Sequence, residues 1–92
     1  MSEKMLIKRP ELNVRTVDQE IVIVDTDSGE VHQLNPTASY IWDLFDGNTS
    51  IDRVKELLAS DFNIDPEQAS TDVLAVVEQL RRLNLLVESA NS

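Results

Sequence analysis

The run His32-Gln33-Leu34-Asn35-Pro36-Thr37-Ala38-Ser39-Tyr40-Ile41-Trp42-Asp43-Leu44-Phe45-Asp46-Gly47 constrains the fold more than any other, because it turns an extended segment directly into a helix. It carries the only Trp, the only Tyr, the only His and one of the two Phe. Asn35 suits an N-cap, its side-chain oxygen accepting an otherwise unpaired backbone N–H. Pro36 suits the first helical position, where its missing N–H costs nothing. Ala38, Ile41, Trp42 and Phe45 recur at helical spacing and give one apolar face. Asp46-Gly47-Asn48 ends the helix, with Gly47 free to turn left-handed.

Ahead of this junction the chain reads as strands. Leu12 to Val17 alternates, Asp18-Gln19 is a tight turn, and Glu20 to Asp25 is β-branched and apolar on both faces, as a central strand is. Thr26-Asp27-Ser28-Gly29 closes a hairpin onto Glu30 to Leu34. Three strands with short turns order most simply as a 1-2-3 meander, which leaves the third strand at an edge. After the junction the chain reads as helices. Thr49 or Ser50 caps the second, whose buried stripe is Ile51, Val54, Leu57, Leu58 and Phe62, and Asn63 breaks it. Asp65 caps the third, Pro66 opens it, and Gln68 stands at the capping-box position. Its stripe is Ala69, Val73, Val76, Val77, Leu80 and Leu83, with Leu74 and Arg81 on one flank and Asp72 and Gln79 on the other. Asn84 ends it, and Leu85-Leu86-Val87 forms a short closing strand or a packed tail.

The expected fold class is therefore α+β and winged-helix-like: a three-stranded antiparallel sheet, three helices and a possible C-terminal strand. One domain spans residues 12–87, since 92 residues hold a single core. Residues 1–11 read as a flexible lead-in, with the alternative that Met5, Leu6 and Ile7 pack on the domain or start an edge strand. Residues 88–92 should fray.

Charge and composition narrow the function. No apolar run approaches the ~18 residues of a membrane span and no signal sequence opens the chain, so a cytoplasmic protein without a membrane partner is expected. Eight basic against seventeen acidic residues, net −9, leave no surplus to neutralise phosphates, so no nucleic-acid partner is expected. A winged-helix DNA-binding regulator is the alternative, but its second helix offers only Arg53 and Lys55. Without cysteine there is no thiolate nucleophile or Cys-based metal site. His32 is a lone strand histidine with no sequence partner to orient it as a base. Asp43, Asp46, Asn48 and Asp52 do not follow calcium-loop spacing. Asp27-Ser28 lies in a hairpin turn, which discounts an acyl carrier. No enzyme, no cofactor and no metal are expected.

What the arrangement offers is an edge. Val31 to Leu34 carries no Pro and no charge to blunt it, which suits β-addition of an extended peptide. Leu74, Val77 and Arg81 on the third helix are candidates for the neighbouring wall, and Arg81 for pairing a peptide carboxylate. Equally, Val31 and Leu34 read as ordinary edge or core residues with Leu74 packed internally. An unprotected edge can also pair with its own copy, so a monomer, a weak homodimer or a structural dimerisation module fits the same feature.

Val31-His32-Gln33-Leu34-Asn35-Pro36-Thr37-Ala38, then Ile41-Trp42, Phe45-Asp46-Gly47 and Thr49, resembles the PqqD-like family. The later Asp72-Val73-Leu74, Leu80 and Leu83-Asn84-Leu85-Leu86 resemble its closing helix. The resemblance implies a peptide chaperone, or RiPP recognition element. Such a protein binds the leader of a ribosomally made precursor peptide and presents it to a modifying enzyme, which in the pyrroloquinoline quinone pathway is a radical S-adenosylmethionine enzyme. The implied groove lies between the third strand and the third helix. On this chain its strand side is Val31, His32, Gln33 and Leu34. Its helix side is Leu74, Val77 and Arg81, with Asp72 and Val76 as alternates on the other flank. Thr26 to Gly29 is a minimal turn where pyrroloquinoline quinone members often have a longer segment, so the resemblance implies the general role and leaves the product open.

Overall fold

The computed structural model describes residues 5–88. The elements run β1 (Leu6–Lys8), β2 (Asn13–Val17), β3 (Glu20–Asp25), β4 (Glu30–Gln33), α1 (Pro36–Leu44), α2 (Ile51–Phe62), α3 (Pro66–Arg82) and β5 (Leu86–Glu88). β2, β3 and β4 form an antiparallel sheet in that order, and β1 pairs antiparallel with β5 in a second, two-stranded sheet. The meander, the central β-branched strand, the three helices and the closing strand follow the expected α+β architecture.

The lead-in is the correction. Leu6–Lys8 is not a flexible segment but a strand, registered Leu6 to Glu88 and Lys8 to Leu86, with Leu6 buried. Arg9 N–H extends the pairing to Leu85 O at 2.9 Å. This agrees with the alternative in which Met5, Leu6 and Ile7 start an edge strand; residues 1–4 lie outside the described residues. Of the expected tail, Glu88 lies in β5 and residues 89–92 lie outside the described residues.

Local signals set the boundaries. Asn35 Oδ1 accepts Ala38 N–H at 2.8 Å, with Pro36 opening α1. Ser50 Oγ accepts Arg53 N–H at 3.1 Å, and Asn63 ends α2 in the left-handed region, φ 53°. Asp65 caps α3 through Glu67 N–H, while the Gln68 side chain donates to Asp72 instead of closing a capping box. Gly47 holds φ 90° where α1 turns toward α2, a conformation that penalises any Cβ.

The core is one cluster: Ile21 and Ile23 of β3, Leu34, Ala38, Ile41, Trp42 and Phe45 around α1, Val54 and Leu58 of α2, Ala69, Val73, Val77 and Leu80 of α3, and Leu6, Leu85 and Leu86. The whole apolar face expected for α1 is buried. Phe62 departs from its stripe: it is 41% exposed and meets Tyr40 edge-on, ring centroids 5.1 Å apart. Tyr40 donates its hydroxyl to Asp61, and burial together with that carboxylate pushes the phenol up to about 12.

Candidate peptide-binding edge

The register decides which backbone groups of β4 are free. Leu34 N–H donates to Ile21 O at 2.8 Å, so Ile21 and Leu34 face one another as a hydrogen-bonding pair. Antiparallel pairing alternates. His32, opposite Ile23, therefore turns its N–H and C=O inward to β3, and so does Glu30 opposite Asp25. Val31 and Gln33, opposite Val24 and Val22, turn theirs outward. The same alternation, carried through β3, places the hydrogen-bonded pair Val17 and Glu20 around the two-residue turn at Asp18 and Gln19, both with positive φ, the geometry that a tight hairpin needs. Among the described residues no strand pairs with the outer edge of β4.

Side chains alternate likewise. Glu30, His32 and Leu34 share the inner face with Ile21, Ile23 and Asp25. Val31 and Gln33 share the outer face with Val22 and Val24. Val31 is 63% exposed and Leu34 only 5%. Gln33 Nε2 donates to Glu20 Oε1 at 2.7 Å across the outer face. His32 is half-buried, and its Nε2 is covered yet has no hydrogen-bond partner.

Two anchors hold β4. At one end Ser39 Oγ sits where the next rung belongs, accepting Ile21 N–H at 2.8 Å and donating to Leu34 O at 3.1 Å. Ser39 is buried, and periodicity does not single it out; a small hydroxyl beside Ala38 on the first turn of α1 is its only signal in the sequence. At the other end Asp25 accepts Arg9, Asp27 N–H at 3.1 Å and Ser28 N–H at 3.4 Å. The Arg9 hydrogen bond above all, then the two backbone N–H groups, hold the Asp25 carboxyl below the usual carboxylate range against the opposing effect of burial.

Leu74, Val77 and Arg81 are brought together, but around a depression shared with Ile51 of α2 and with Glu78 and Arg82. Leu74 also borders a second depression with Met5, Leu6 and Glu88, and Arg81 pairs with Glu88 at 3.3 Å. That flank of α3 faces α2 and β5, and no β4 residue lines either depression. Val77 is 5% exposed and belongs to the core. Asp72 and Val76 occupy the opposite flank, Val76 packed on the core.

Among the described residues no three His, Asp or Glu side chains gather as metal ligands. Asp46 Oδ1 instead accepts Asn48 N–H at 2.9 Å and the Thr49 hydroxyl at 3.0 Å, a turn before α2. No helix among the described residues is long and apolar enough to cross a membrane. Arg53 and Lys55 are the only cations on α2, and Lys55 lies 3.8 Å from Asp52.

The model of the family described as coenzyme PQQ synthesis protein D (PqqD) matches residues 20–86. No curated protein matches at a significant level. Among solved structures, a lasso peptide synthetase B1 complexed with its leader peptide is 30% identical, covers 89% of this chain and 96% of its own, and superposes with a TM-score of 0.80. TbiB1 in complex with the TbiA(beta) leader peptide is 18% identical, covers 92% and 99%, with a TM-score of 0.81. The PqqD truncation of Methylobacterium extorquens PqqCD, a stand-alone RiPP recognition element, is 17% identical, covers 94% and 90%, with a TM-score of 0.74. At those last two identities the likeness is one of fold.

Proposed function

The chain belongs to the PqqD family, and from that premise we propose that it binds the leader of a ribosomally synthesised precursor peptide as a fourth strand on β4 and presents it to a modifying enzyme. The observation that carries this is that Val31 and Gln33 turn their backbone groups outward on an edge that no strand among the described residues covers, in a stretch, Val31 to Gln33, without Pro or charge. The complexes of similar proteins with leader peptides support it.

In this reading Val31 and Gln33 supply two N–H and two C=O groups to the ladder. Each rung is worth about 0.5–1.5 kcal/mol net. With one or two apolar anchors, affinity in the micromolar range, about −8 kcal/mol, follows. Side chains of the peptide opposite His32 and Leu34 turn to the inner face; those opposite Val31 and Gln33 turn outward. The helical wall is the Asp72 and Val76 flank of α3, because Leu74, Val77 and Arg81 open toward α2 and β5. The chain itself performs no chemistry and needs no cofactor. It works in the cytoplasm as a monomer or weak homodimer, without nucleic acid. Its partner is a radical S-adenosylmethionine enzyme, or a lasso-type processing enzyme if the similarity to lasso peptide synthetase B1 extends to the pathway.

An amide-shift titration with the leader of the precursor encoded beside the gene tests the reading. Perturbations should centre on Val31 to Leu34 and leave β2 unmoved. Perturbations centred on β2, or on the Leu74 depression alone, would rule out strand addition at β4.

A further inference from the structure

Among the described residues His32 Nε2 is a covered side-chain atom without a hydrogen-bond partner, on the inner side of β4. The residue stands directly across from the fully buried Ile23. Native proteins leave few buried polar atoms in that condition, and each one asks for a missing partner. Its neighbours on the same face do not supply one. Leu34 is apolar and buried, and Glu30 is exposed with no bond to the imidazole among the described residues.

The register says where a partner would come from. Because the His32 backbone groups turn to β3, a peptide residue facing His32 forms a closely spaced, non-hydrogen-bonded pair, Cα atoms roughly 4.5 Å apart. Its side chain lies on the inner face beside the imidazole. His32 as a residue is only half-buried, and a change of its χ1 rotamer would bring Nε2 from its cover to the incoming side chain.

We propose that His32 reads one position of the leader, selecting there an oxygen-bearing side chain (hydroxyl, carboxamide or carboxylate) that pairs with Nε2. A hydroxyl or carboxamide serves Nε2 whether it donates or accepts, and a carboxylate serves it when it donates. The neighbouring inner position, facing Leu34, then takes an apolar residue. The leader thus carries a polar and an apolar residue two apart. The proposal rests on strand addition at β4 and adds a selectivity to it.

Selection from a random peptide library displayed on phage tests it whatever the sequence of the natural leader. The baits are the wild-type chain, His32→Phe, which keeps the ring and deletes both nitrogens, and His32→Gln, which keeps a hydrogen-bonding head. Wild type and His32→Gln should enrich peptides with an oxygen-bearing residue at one position, and His32→Phe should enrich an apolar residue there. A polar peptide so selected should lose about tenfold in affinity for His32→Phe, while its apolar counterpart loses nothing. Thermal melts establish that each bait is folded. Identical preferences for all three baits overturn the role of His32 and leave strand addition standing. Failure of every folded bait to enrich any peptide overturns strand addition and this selectivity together.

Discussion

Among the described residues the three-stranded sheet has two open edges, and they are built differently. β2 is exposed at every residue, on both faces, and is held by β3 and by a two-residue turn alone. β4 presents an equally unpaired row, yet its inner side chains are half-buried at His32 and buried at Leu34. It is pinned at one end by Ser39 and at the other by the Asp25 network. An edge that adds a foreign strand must hold its register while the partner arrives and must offer a wall beside it. β4 meets the first requirement through its two anchors, and the proposed flank of α3 would meet the second; β2 has the hydrogen-bonding groups and no comparable anchor among the described residues. In the proposed reading, open backbone groups do not by themselves make a binding edge, and what surrounds them decides.

The largest expected effect removes the pin. Ser39→Ala leaves Ile21 N–H buried without an acceptor, which costs about 1–3 kcal/mol. Denaturant titration should show that loss, and hydrogen exchange should show β4 approaching the protection of β2. An unchanged midpoint would mean that β4 is no better anchored than β2.

Next comes a matched pair of prolines. Gln33 and Thr16 both turn their N–H outward, Thr16 because it faces Ile21 across a non-hydrogen-bonded pair. Proline at either position removes an unpaired donor at similar cost to the fold. Gln33→Pro should weaken leader binding about tenfold or more, roughly 1.4 kcal/mol, and Thr16→Pro should not change it. Equal losses by fluorescence anisotropy would erase the distinction between the edges.

Much of this was legible in the residues. Asn35-Pro36, Ser50, Asn63 and Asp65-Pro66 act through bonds to neighbours in sequence, so their signals are local and the helices begin and end where those signals stand. The meander followed from β-branched runs and turn chemistry. The pairing of β1 with β5 was not legible, because Leu6 and Glu88 are joined only through the tertiary fold and a three-residue apolar run has no period to read. Ser39 was hidden for the same reason, since its partners lie on β3 and at the end of β4. Of the proposed site, the strand half was read from the edge position of β4. The helix half stayed divided between two flanks, because periodicity gives α3 a buried stripe and cannot say which flank meets α2. Phe62 kept helical spacing but lies at the last turn of α2, where the core has ended.

Acid sharpens the comparison further, more gently. Asp25 has a folded pKa below its unfolded value, so the stability it contributes is present above the ordinary carboxylate range and is lost as pH falls through the lowered folded value. The hairpin end of β4 should loosen in that window, before the turn between β2 and β3. Asp25→Asn should flatten the acid limb of a melting-temperature profile; a profile that keeps its slope would move the acid sensitivity elsewhere.

The smallest effects test the wall. Arg81 and Glu88 form an exposed pair, and such pairs contribute about 0–1 kcal/mol. Leu74 is 48% exposed, so truncation to Ala gives up little buried area. Arg81→Ala and Leu74→Ala should each leave stability nearly unchanged and move leader affinity by less than about twofold, within ~0.4 kcal/mol. Val76→Ala, on the other flank and packed on the core, should weaken the leader more than either while also lowering stability. The comparison is made at fixed temperature with each variant folded, so that the stability term does not enter. If Leu74→Ala or Arg81→Ala instead produced the larger loss of affinity, the peptide would lie along the α2 side of α3. The two open edges would then differ in anchoring alone, and the wall beside β4 would have no part in recognition.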